Sequence, residues 1–414
     1  MTVLFYECYV VLRKIYTEKT YIKQALLSPE ILEKDRAKVT KIVYGVVEKD
    51  IELEYIISKL CQKKPKNSVK IIIKIALYNI KYLNKTPFSV TDASVSLLKK
   101  MGKGANAGFV NALLRKFCVT EIEYPTDKQE YISVKYSYPL FAVKKLVKKY
   151  GLEKTESILN GFVSNTCVRF AKNVNGEEYL TKRNFKFSKT PFENVYIVNG
   201  FKMQEDFYNG LYTFQSLGSV AICDNAQSGE KLLDCCSAPG GKAVNLSEKF
   251  KEVVACELHE HRVELIKSYV KRMKVTNVKV LQKDATEFCL EFLNAFDAVL
   301  CDCPCSGLGV VKDNPDIILS RTEDNVRKLN DIQLKIINNC SKYVKKGGYL
   351  YYSTCSILSE ENEKIIQKFL ENNEDFIEVK FNSKLNGNAE EYGVTYLPDI
   401  SDGAGFYCCR LKRK

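Results

Sequence analysis

Five short apolar runs in the second half of the chain constrain its fold most. They span residues 232–234, 252–256, 278–281, 298–301 and 349–352. Amphipathic stretches lie between most of them, most clearly at 261–273 and 323–343. Alternation of strand and helix predicts an open parallel α/β sheet with helices on both faces. Because such sheets bind ligands beyond the carboxyl ends of their strands, the residues that follow each run are the candidate site.

The N-terminal part of the chain has a different pattern. Apolar residues recur at helical spacing up to about residue 130, as in 71–83, and strand-like alternation is absent. The segment 124–139 marks a boundary, and residues 140–215 combine one helix-like run with short strand-like pieces. We therefore predict a multidomain protein with an all-α bundle at 1–130, a small α+β linking domain at 131–215 and a Rossmann-like α/β domain at 216–414.

Charge is distributed unevenly between these parts. Residues 1–150 contain 28 Lys and Arg against 14 Asp and Glu, whereas the remaining residues contain 35 against 36. This bias predicts a polyanionic partner, most simply nucleic acid, and a lysine-rich solvated surface is the alternative. No apolar run is long enough to span a membrane, and no signal peptide is visible. The crowding of several of the 16 cysteines argues against a disulfide scaffold and predicts a reduced, cytoplasmic protein.

A glycine-containing turn and two acidic residues follow the first three strands. The turn consists of Cys236, Ser237, Ala238, Pro239, Gly240, Gly241 and Lys242. Its two glycines let a ligand approach the backbone, and the following helix start offers N–H groups to an anion. Glu257 follows the second strand at the distance of an acid that binds ribose hydroxyls, and Asp284 follows the third. Together they predict a nucleoside cleft, although a structural turn and solvated loop acids would produce the same residues.

Cysteines follow the fourth and fifth strands. Asp302 is followed by Cys305, and Cys355 lies in the sequence Ser-Thr-Cys-Ser. A thiolate at such a position is a strong nucleophile. Zinc sites use two spaced ligand pairs, whereas the cysteines at 301, 303 and 305 have no matching pair, so we predict no metal. We expect structural roles for the remaining cysteines of this region: Cys235, Cys256, Cys301, Cys303 and Cys340.

Three of these segments resemble the signature motifs of the Sun-type (RsmB/Sun) RNA cytosine-5 methyltransferases. They are 236–242, 302–307, and 353–356 followed by Glu360, Glu361 and Asn362. Their order and strand context match the family. The N-terminal region, especially 108–115, is similar to the NusB-like RNA-binding bundle that precedes the catalytic domain in the ribosomal RNA members. Ser237, Ala243, Glu257 and Cys303 depart from the family pattern without removing a proposed catalytic group.

The resemblance implies a function and a set of roles. The chain would methylate carbon 5 of a cytosine in small-subunit (16S) ribosomal RNA that is not yet in a complete subunit, without an obligate protein partner. Cys355 would be the nucleophile, Cys305 would help release the product, and Asp302 would hydrogen-bond to the base. S-adenosylmethionine would be held by the turn 236–242, with Glu257 on its ribose and Asp284 at its adenine amine. The base would have to be single-stranded or flipped out.

Three other functions stay open from the sequence. The substrate could be transfer RNA rather than ribosomal RNA. The chain could also be a non-catalytic, NusB-like RNA-binding or antitermination factor, although both cysteines, Asp302 and the cofactor acids are present. Methylation of an adenine or guanine amino group is a third alternative, but such enzymes usually carry Asn/Asp-Pro-Pro-aromatic after strand four.

Overall fold

The computed structural model describes residues 1 to 414, and the chain forms two units. The first contains Met1–Leu159 and Val311–Thr322, and the second contains Asn160–Val310 and Glu323–Lys414. None of the helices combines the length and the apolar character needed to cross a membrane.

The first unit is a helical bundle, as the sequence predicts for residues 1–130, but the unit also includes the helices that follow as far as Leu159 and the segment 311–322. Its central helix is Asn67–Lys81, whose apolar residues are buried on several sides, and Lys74 within it pairs with Asp50 and with Glu54 at 2.7 Å. Burial on several sides is typical of a helix surrounded by others. The helices are α1 (Thr2–Glu18), α2 (Ile22–Ala25), α3 (Arg36–Glu48), α4 (Asp50–Leu60), α5 (Asn67–Lys81), α6 (Pro87–Lys100), α7 (Ala107–Val119), α8 (Lys128–Tyr136), α9 (Leu140–Tyr150) and α10 (Leu152–Asn160).

A small antiparallel sheet begins the second unit. Its four strands are arranged in the order β2-β3-β1-β4, and aromatic side chains such as Phe170 and Tyr212 pack on one another beside it. Antiparallel pairing lets these short strands join through loops and single-turn helices rather than long crossovers. The elements are β1 (Cys167–Phe170), α11 (Gly176–Lys182), β2 (Ser188–Lys189), β3 (Val195–Ile197), α12 (Glu205–Tyr208) and β4 (Tyr212–Phe214).

The larger sheet has a parallel part and an antiparallel edge. Five parallel strands lie in the order β7-β6-β5-β8-β9, as expected from the alternating pattern. The sheet then continues through β13, β12 and β11, and β13 is antiparallel to β9. The elements are α13 (Leu217–Asp224), β5 (Gly229–Asp234), α14 (Gly241–Leu246), β6 (Phe250–Glu257), α15 (Glu260–Arg272), β7 (Val278–Gln282), β8 (Phe296–Asp302), α16 (Ile317–Ser320), α17 (Glu323–Cys340), β9 (Val344–Thr354), α18 (Glu363–Leu370), β10 (Phe376–Glu378), β11 (Asn388–Ala389), β12 (Val394–Tyr396) and β13 (Phe406–Arg413).

The segment 311–322, which contains α16, is part of the helical unit although it lies between β8 and α17 in the chain. The Asp316 carboxylate accepts a hydrogen bond from the Ile22 N–H at 3.3 Å, and Lys312 pairs with Glu48 at 2.7 Å. Leu319 packs against the apolar core of the bundle. The helical unit is therefore built from two separate stretches of the chain.

Candidate active site

The candidate site lies where the strand order reverses. From β5 the chain continues to β6 and β7 on one side, and then returns to β8 and β9 on the other. β5 and β8 are neighbours, with Asp234 opposite Leu300. In open α/β sheets the crevice beyond the carboxyl ends at this point is the usual ligand site. The residues singled out from the sequence follow the ends of these five strands.

The turn after β5 is shaped by its backbone. Gly240 has a φ of 105°, and a Cβ there would lie 3.2 Å from Ile266, so a side chain would be strained. The Ser237 N–H donates to the Cys256 carbonyl at 2.9 Å, which fixes the turn to β6. The Gly240 N–H donates to the Ser237 carbonyl at 2.7 Å. Ala238 and Pro239 are joined by a cis peptide bond, and Cys236 is half-buried.

Two buried polar side chains at this turn lack hydrogen-bond partners. Both carboxylate oxygens of Asp234 and the hydroxyl of Ser237 are unpaired. Burial, together with the nearby charge of Asp302, raises the pKa of Asp234 to about 7, and the positive charge of Lys242 partly opposes the shift. A buried, unpaired carboxylate is costly unless a partner supplies what the chain does not. S-adenosylmethionine carries an ammonium and a sulfonium cation, so the chemistry of this turn fits that cofactor.

The raised pKa of Asp234 predicts that Asp234→Asn increases the stability of the protein by an amount that depends on pH. The folded-state pKa exceeds the unfolded value, so the stability associated with this group is present at low pH and lost as pH rises through about 7. We expect the free energy of unfolding of Asp234→Asn to exceed that of the wild type by roughly 1 to 3 kcal/mol at pH 8, with less difference at pH 5. Urea unfolding of both proteins at pH 5 and pH 8 measures this difference in the free energy of unfolding. The exposed variant Glu230→Gln is the control, and an equal effect at both pH values would contradict the prediction.

Glu257 and Asp284 have different surroundings. Glu257, at the end of β6, is buried and accepts hydrogen bonds from the His259 N–H at 3.1 Å and from Arg262 at 3.4 Å. Asp284 follows β7 and accepts from the N–H and hydroxyl of Thr286, at 2.8 and 2.7 Å, so it stabilises its own turn. Both carboxylates thus accept a hydrogen bond from the N–H two residues further along the chain, and Glu257 also pairs with Arg262 in the following helix.

Asp302 links the cofactor turn to the fifth strand. Its carboxylate accepts from Lys242 Nζ at 2.6 Å and from the Ser353 hydroxyl at 2.7 Å. Burial of Lys242 opposes its charge, but the adjacent Asp302 more than compensates and raises the pKa of Lys242. Lys242 therefore stays charged, and its contact, together with that of Ser353, fixes the orientation of the Asp302 carboxylate.

The two cysteines after β8 and β9 are brought together. Cys305 Sγ lies 3.2 Å from Cys355 Sγ, and both residues are half-buried rather than enclosed. The adjacent Cys355 thiol, followed by burial, raises the pKa of Cys305 well above that of a free cysteine. Cys305 therefore keeps its proton beside Cys355, and the two sulfur atoms are close enough to hydrogen-bond.

The remaining cysteines of the sheet do not join this pair. Cys303 is buried in the apolar core, and so are Cys235, Cys301 and Cys340, whose sulfur atoms lie within 4.8 Å of one another. Of the three cysteines in the Cys-x-Cys-x-Cys sequence, Cys301 and Cys303 are therefore buried in the core, whereas Cys305 is half-buried at the candidate site. The expectation that these cysteines are structural stays a prediction.

Comparison with known proteins identifies the two parts of the chain. Residues 221–412 match the family model described as 16S rRNA methyltransferase RsmB/F, and residues 8–118 match the NusB family. The chain thus contains an RsmB/F-type methyltransferase domain preceded by a NusB domain. This RsmB/F-type chain is accordingly an rRNA methyltransferase that uses S-adenosylmethionine.

Curated relatives match the RsmB/F-type chain along nearly its full length. One is the probable ribosomal RNA small subunit methyltransferase B of Bacillus subtilis, 28% identical over 95% of this chain and 94% of the relative. Another is the ribosomal RNA small subunit methyltransferase B of Escherichia fergusonii, 27% identical over 94% of this chain and 93% of the relative.

Solved structures show the same fold. The crystal structure of PH0851 has a TM-score of 0.84 and 21% identity, and the match covers 100% of this chain and 98% of that one. A methyltransferase homolog protein from Pyrococcus horikoshii has a TM-score of 0.61 and 22% identity, covering 70% of this chain and 100% of that one. The match to PH0851 therefore shows a shared fold along the whole chain.

Several site residues have no assigned role from the sequence alone. Arg262 pairs with Glu257, and Ser353 binds Asp302. Glu361 and the serines that follow both cysteines form a buried network. Two sequence signals mark this network: each cysteine is followed by serine, and Glu361 lies in the third segment that resembles the Sun-type motifs.

Proposed function

We propose that this RsmB/F-type enzyme methylates carbon 5 of a cytosine in 16S ribosomal RNA through a covalent bond between Cys355 and carbon 6. The 3.2 Å separation of Cys305 Sγ and Cys355 Sγ carries the proposal, since two thiols on neighbouring strand ends serve attack and release at one base. The names of the relatives, which specify the small-subunit rRNA, support the choice of 16S RNA over transfer RNA.

The residues of the chain act in sequence on the base. The Cys355 thiolate forms a bond to carbon 6, which moves electron density to carbon 5 and makes that atom nucleophilic. Asp302, held by Lys242 and Ser353, is oriented to balance charge at ring nitrogen 3 and the exocyclic amine. S-adenosylmethionine, when bound, supplies an electrophilic methyl group. Asp234, Ser237 and Glu257 are the residues that would hold it.

Release requires removal of the proton from carbon 5. Cys305 gives its own proton to solvent and accepts the carbon 5 proton, after which the bond between Cys355 Sγ and carbon 6 breaks. The ring double bond is restored, and the pair returns to one thiol and one thiolate. One proton is released overall for each methyl group transferred. Bonding of Cys355 Sγ to carbon 6 removes the largest cause of the raised pKa of Cys305, so Cys305 can lose its proton at this stage and act as the base.

Labelled methyl transfer tests the function directly. We expect purified enzyme with S-adenosylmethionine to label 16S rRNA transcripts, with the label recovered as 5-methylcytosine by mass spectrometry after digestion. Transfer RNA transcripts are the competing substrate, and preferential labelling of them would contradict the 16S assignment. Label on an amino group would contradict carbon 5 chemistry. Absence of S-adenosylmethionine binding by calorimetry would favour a non-catalytic RNA-binding factor.

RNA binding is expected to depend strongly on salt. The 28 basic residues among the first 150 predict contacts with several phosphates, which release counterions on binding. We expect affinity for an rRNA fragment to fall at least about 10-fold between 50 and 200 mM salt. Affinity for S-adenosylmethionine, measured in the same buffers, is the control and should change less than about twofold. Salt-independent RNA affinity would contradict phosphate recognition.

The cell compartment and partners follow from the substrate. An rRNA substrate and 16 free cysteines favour the cytoplasm, where thiols stay reduced. We propose that the enzyme acts without an obligate protein partner on rRNA outside a complete subunit, since its target base must leave a stacked helix.

A further inference from the structure

A buried glutamate connects the loops that carry the two cysteines. Glu361 has no exposed surface and follows β9 in a short turn. Its Oε1 accepts from the Ser306 N–H at 2.6 Å, and its Oε2 accepts from the Ser306 and Ser356 hydroxyls, each at 2.5 Å. These serines directly follow Cys305 and Cys355 in the chain. One carboxylate therefore binds both loops.

The two serines have matching local contacts. The Ser306 hydroxyl accepts from the Leu308 N–H at 3.3 Å, and the Ser356 hydroxyl accepts from the Leu358 N–H at 3.2 Å. Each serine thus closes its own turn as an acceptor and has its proton available for Glu361. Both hydroxyl protons and one N–H point to the carboxylate, so Glu361 is the acceptor in all three contacts. Burial raises the pKa of Glu361, and these hydrogen bonds oppose the shift.

Further contacts hold the network in place. Gln333 from α17 is fully buried, and its Nε2 donates to the Pro304 carbonyl at 2.9 Å and to Glu361 Oε1 at 3.4 Å. The Tyr352 hydroxyl donates to the Glu361 carbonyl at 2.7 Å. The carboxylate is therefore attached to the sheet and to a helix, so it is a rigid reference for both cysteine loops.

We propose that Glu361 is the positioning residue that sets the distance between the two cysteines, acting through Ser306 and Ser356. The inference rests on the proposed function of the pair. Attack by Cys355 and proton removal by Cys305 occur at adjacent carbons of one ring, so both sulfur atoms must be placed accurately. Misplacement of reacting groups by about 1 Å can cost about 100-fold in rate.

Glu361→Gln tests this role most directly, because it removes the charge of the side chain and keeps its shape. The amide oxygen can still accept from the Ser306 N–H, but the amide nitrogen cannot accept the hydroxyl protons of Ser306 and Ser356, which lose their shared acceptor. Both serine turns are weakened as a result. We expect kcat to fall about 10- to 100-fold, while the KM for RNA and the Kd for S-adenosylmethionine change less than about threefold.

Smaller variants separate positioning from folding. Ser306→Ala and Ser356→Ala each remove one hydrogen bond to the carboxylate, and either is expected to reduce kcat by about 3- to 30-fold. Combining each with Glu361→Gln should give less than the product of the single effects, because the residues act as one network. The exposed variant Glu371→Gln is the matched control. If all three network variants keep kcat within threefold of the wild type, the proposal is overturned.

Cysteine alkylation gives a second measurement that does not depend on methyl transfer. The charge of Glu361 is one contributor to the raised pKa of Cys305, after the neighbouring Cys355 and burial. Removing that charge in Glu361→Gln should move the pH dependence of Cys305 alkylation by iodoacetamide, read by peptide mass spectrometry, toward lower pH. Glu371→Gln should leave it unchanged. An unchanged profile in Glu361→Gln would overturn the proposal even if the enzyme proved to use a different chemistry.

Discussion

Cys355→Ala is expected to reduce methyl transfer to rRNA by at least about 10⁴-fold. The substitution removes the thiol to which we assign the attack on carbon 6, and without that bond carbon 5 of cytosine is a poor nucleophile. Single-turnover transfer of labelled methyl groups measures the loss. The affinity for S-adenosylmethionine should change little, because the cofactor turn lies at β5 and β6 rather than at β9.

Matched variants make this loss specific. Cys118→Ala changes an exposed cysteine of the helical unit and is expected to keep full activity. Cys355→Ser keeps the shape but exchanges a thiol for a much weaker nucleophile, so it should be nearly as inactive as the alanine variant. Normal 5-methylcytosine formation by Cys355→Ala would refute the assignment of the nucleophile.

Cys305→Ala is expected to accumulate a covalent RNA–protein adduct. In this variant Cys355 can still attack and the methyl group can still be transferred, but the proton on carbon 5 is no longer removed efficiently. The bond between Cys355 Sγ and carbon 6 then persists. A gel shift that survives denaturant and disappears on nuclease treatment measures the adduct, and we expect turnover to fall by at least about 100-fold.

The double variant is the decisive control for this adduct. Cys305→Ala combined with Cys355→Ala should form none, since the attacking sulfur is missing. An adduct in the double variant would place the covalent bond on another residue. Continued turnover of Cys305→Ala with no adduct would remove Cys305 from the release step.

The parallel strands were predictable because their signal is local and strong. Each is a short apolar run followed by residues suited to a ligand, and the structure extends each predicted run by a few residues at most ends, for example from 298–301 to Phe296–Asp302. The antiparallel edge was not predicted from this alternation, because β11 has only two residues and β10 to β13 follow one another without helices. Such pairing is decided by contacts distant in sequence.

The same reasoning separates the predictable part of the site from the rest. The meeting of Cys305 and Cys355 follows from sheet geometry, because β8 and β9 are adjacent parallel strands whose ends lie at one edge. The role of Glu361 depends instead on a short turn that returns its carboxylate beneath both loops, and no periodic pattern encodes that. Asp234 is similar, since its lack of a partner is a property of its surroundings rather than of its sequence position.

At 311–322 the chain leaves the sheet unit, enters the helical unit and returns. This connection limits which parts of the protein can be deleted or exchanged. Deletion of residues 1–159 would remove the helices against which Asp316 and Leu319 pack. These two residues would remain in the chain, connected to the sheet unit. If residues 1–159 were replaced by those of a relative, the segment 311–322 of this chain would have to pack against a surface with which it did not evolve. We therefore expect residues 1–159 and 311–322 to be inherited together, because they fold as one unit although they are separate in the sequence.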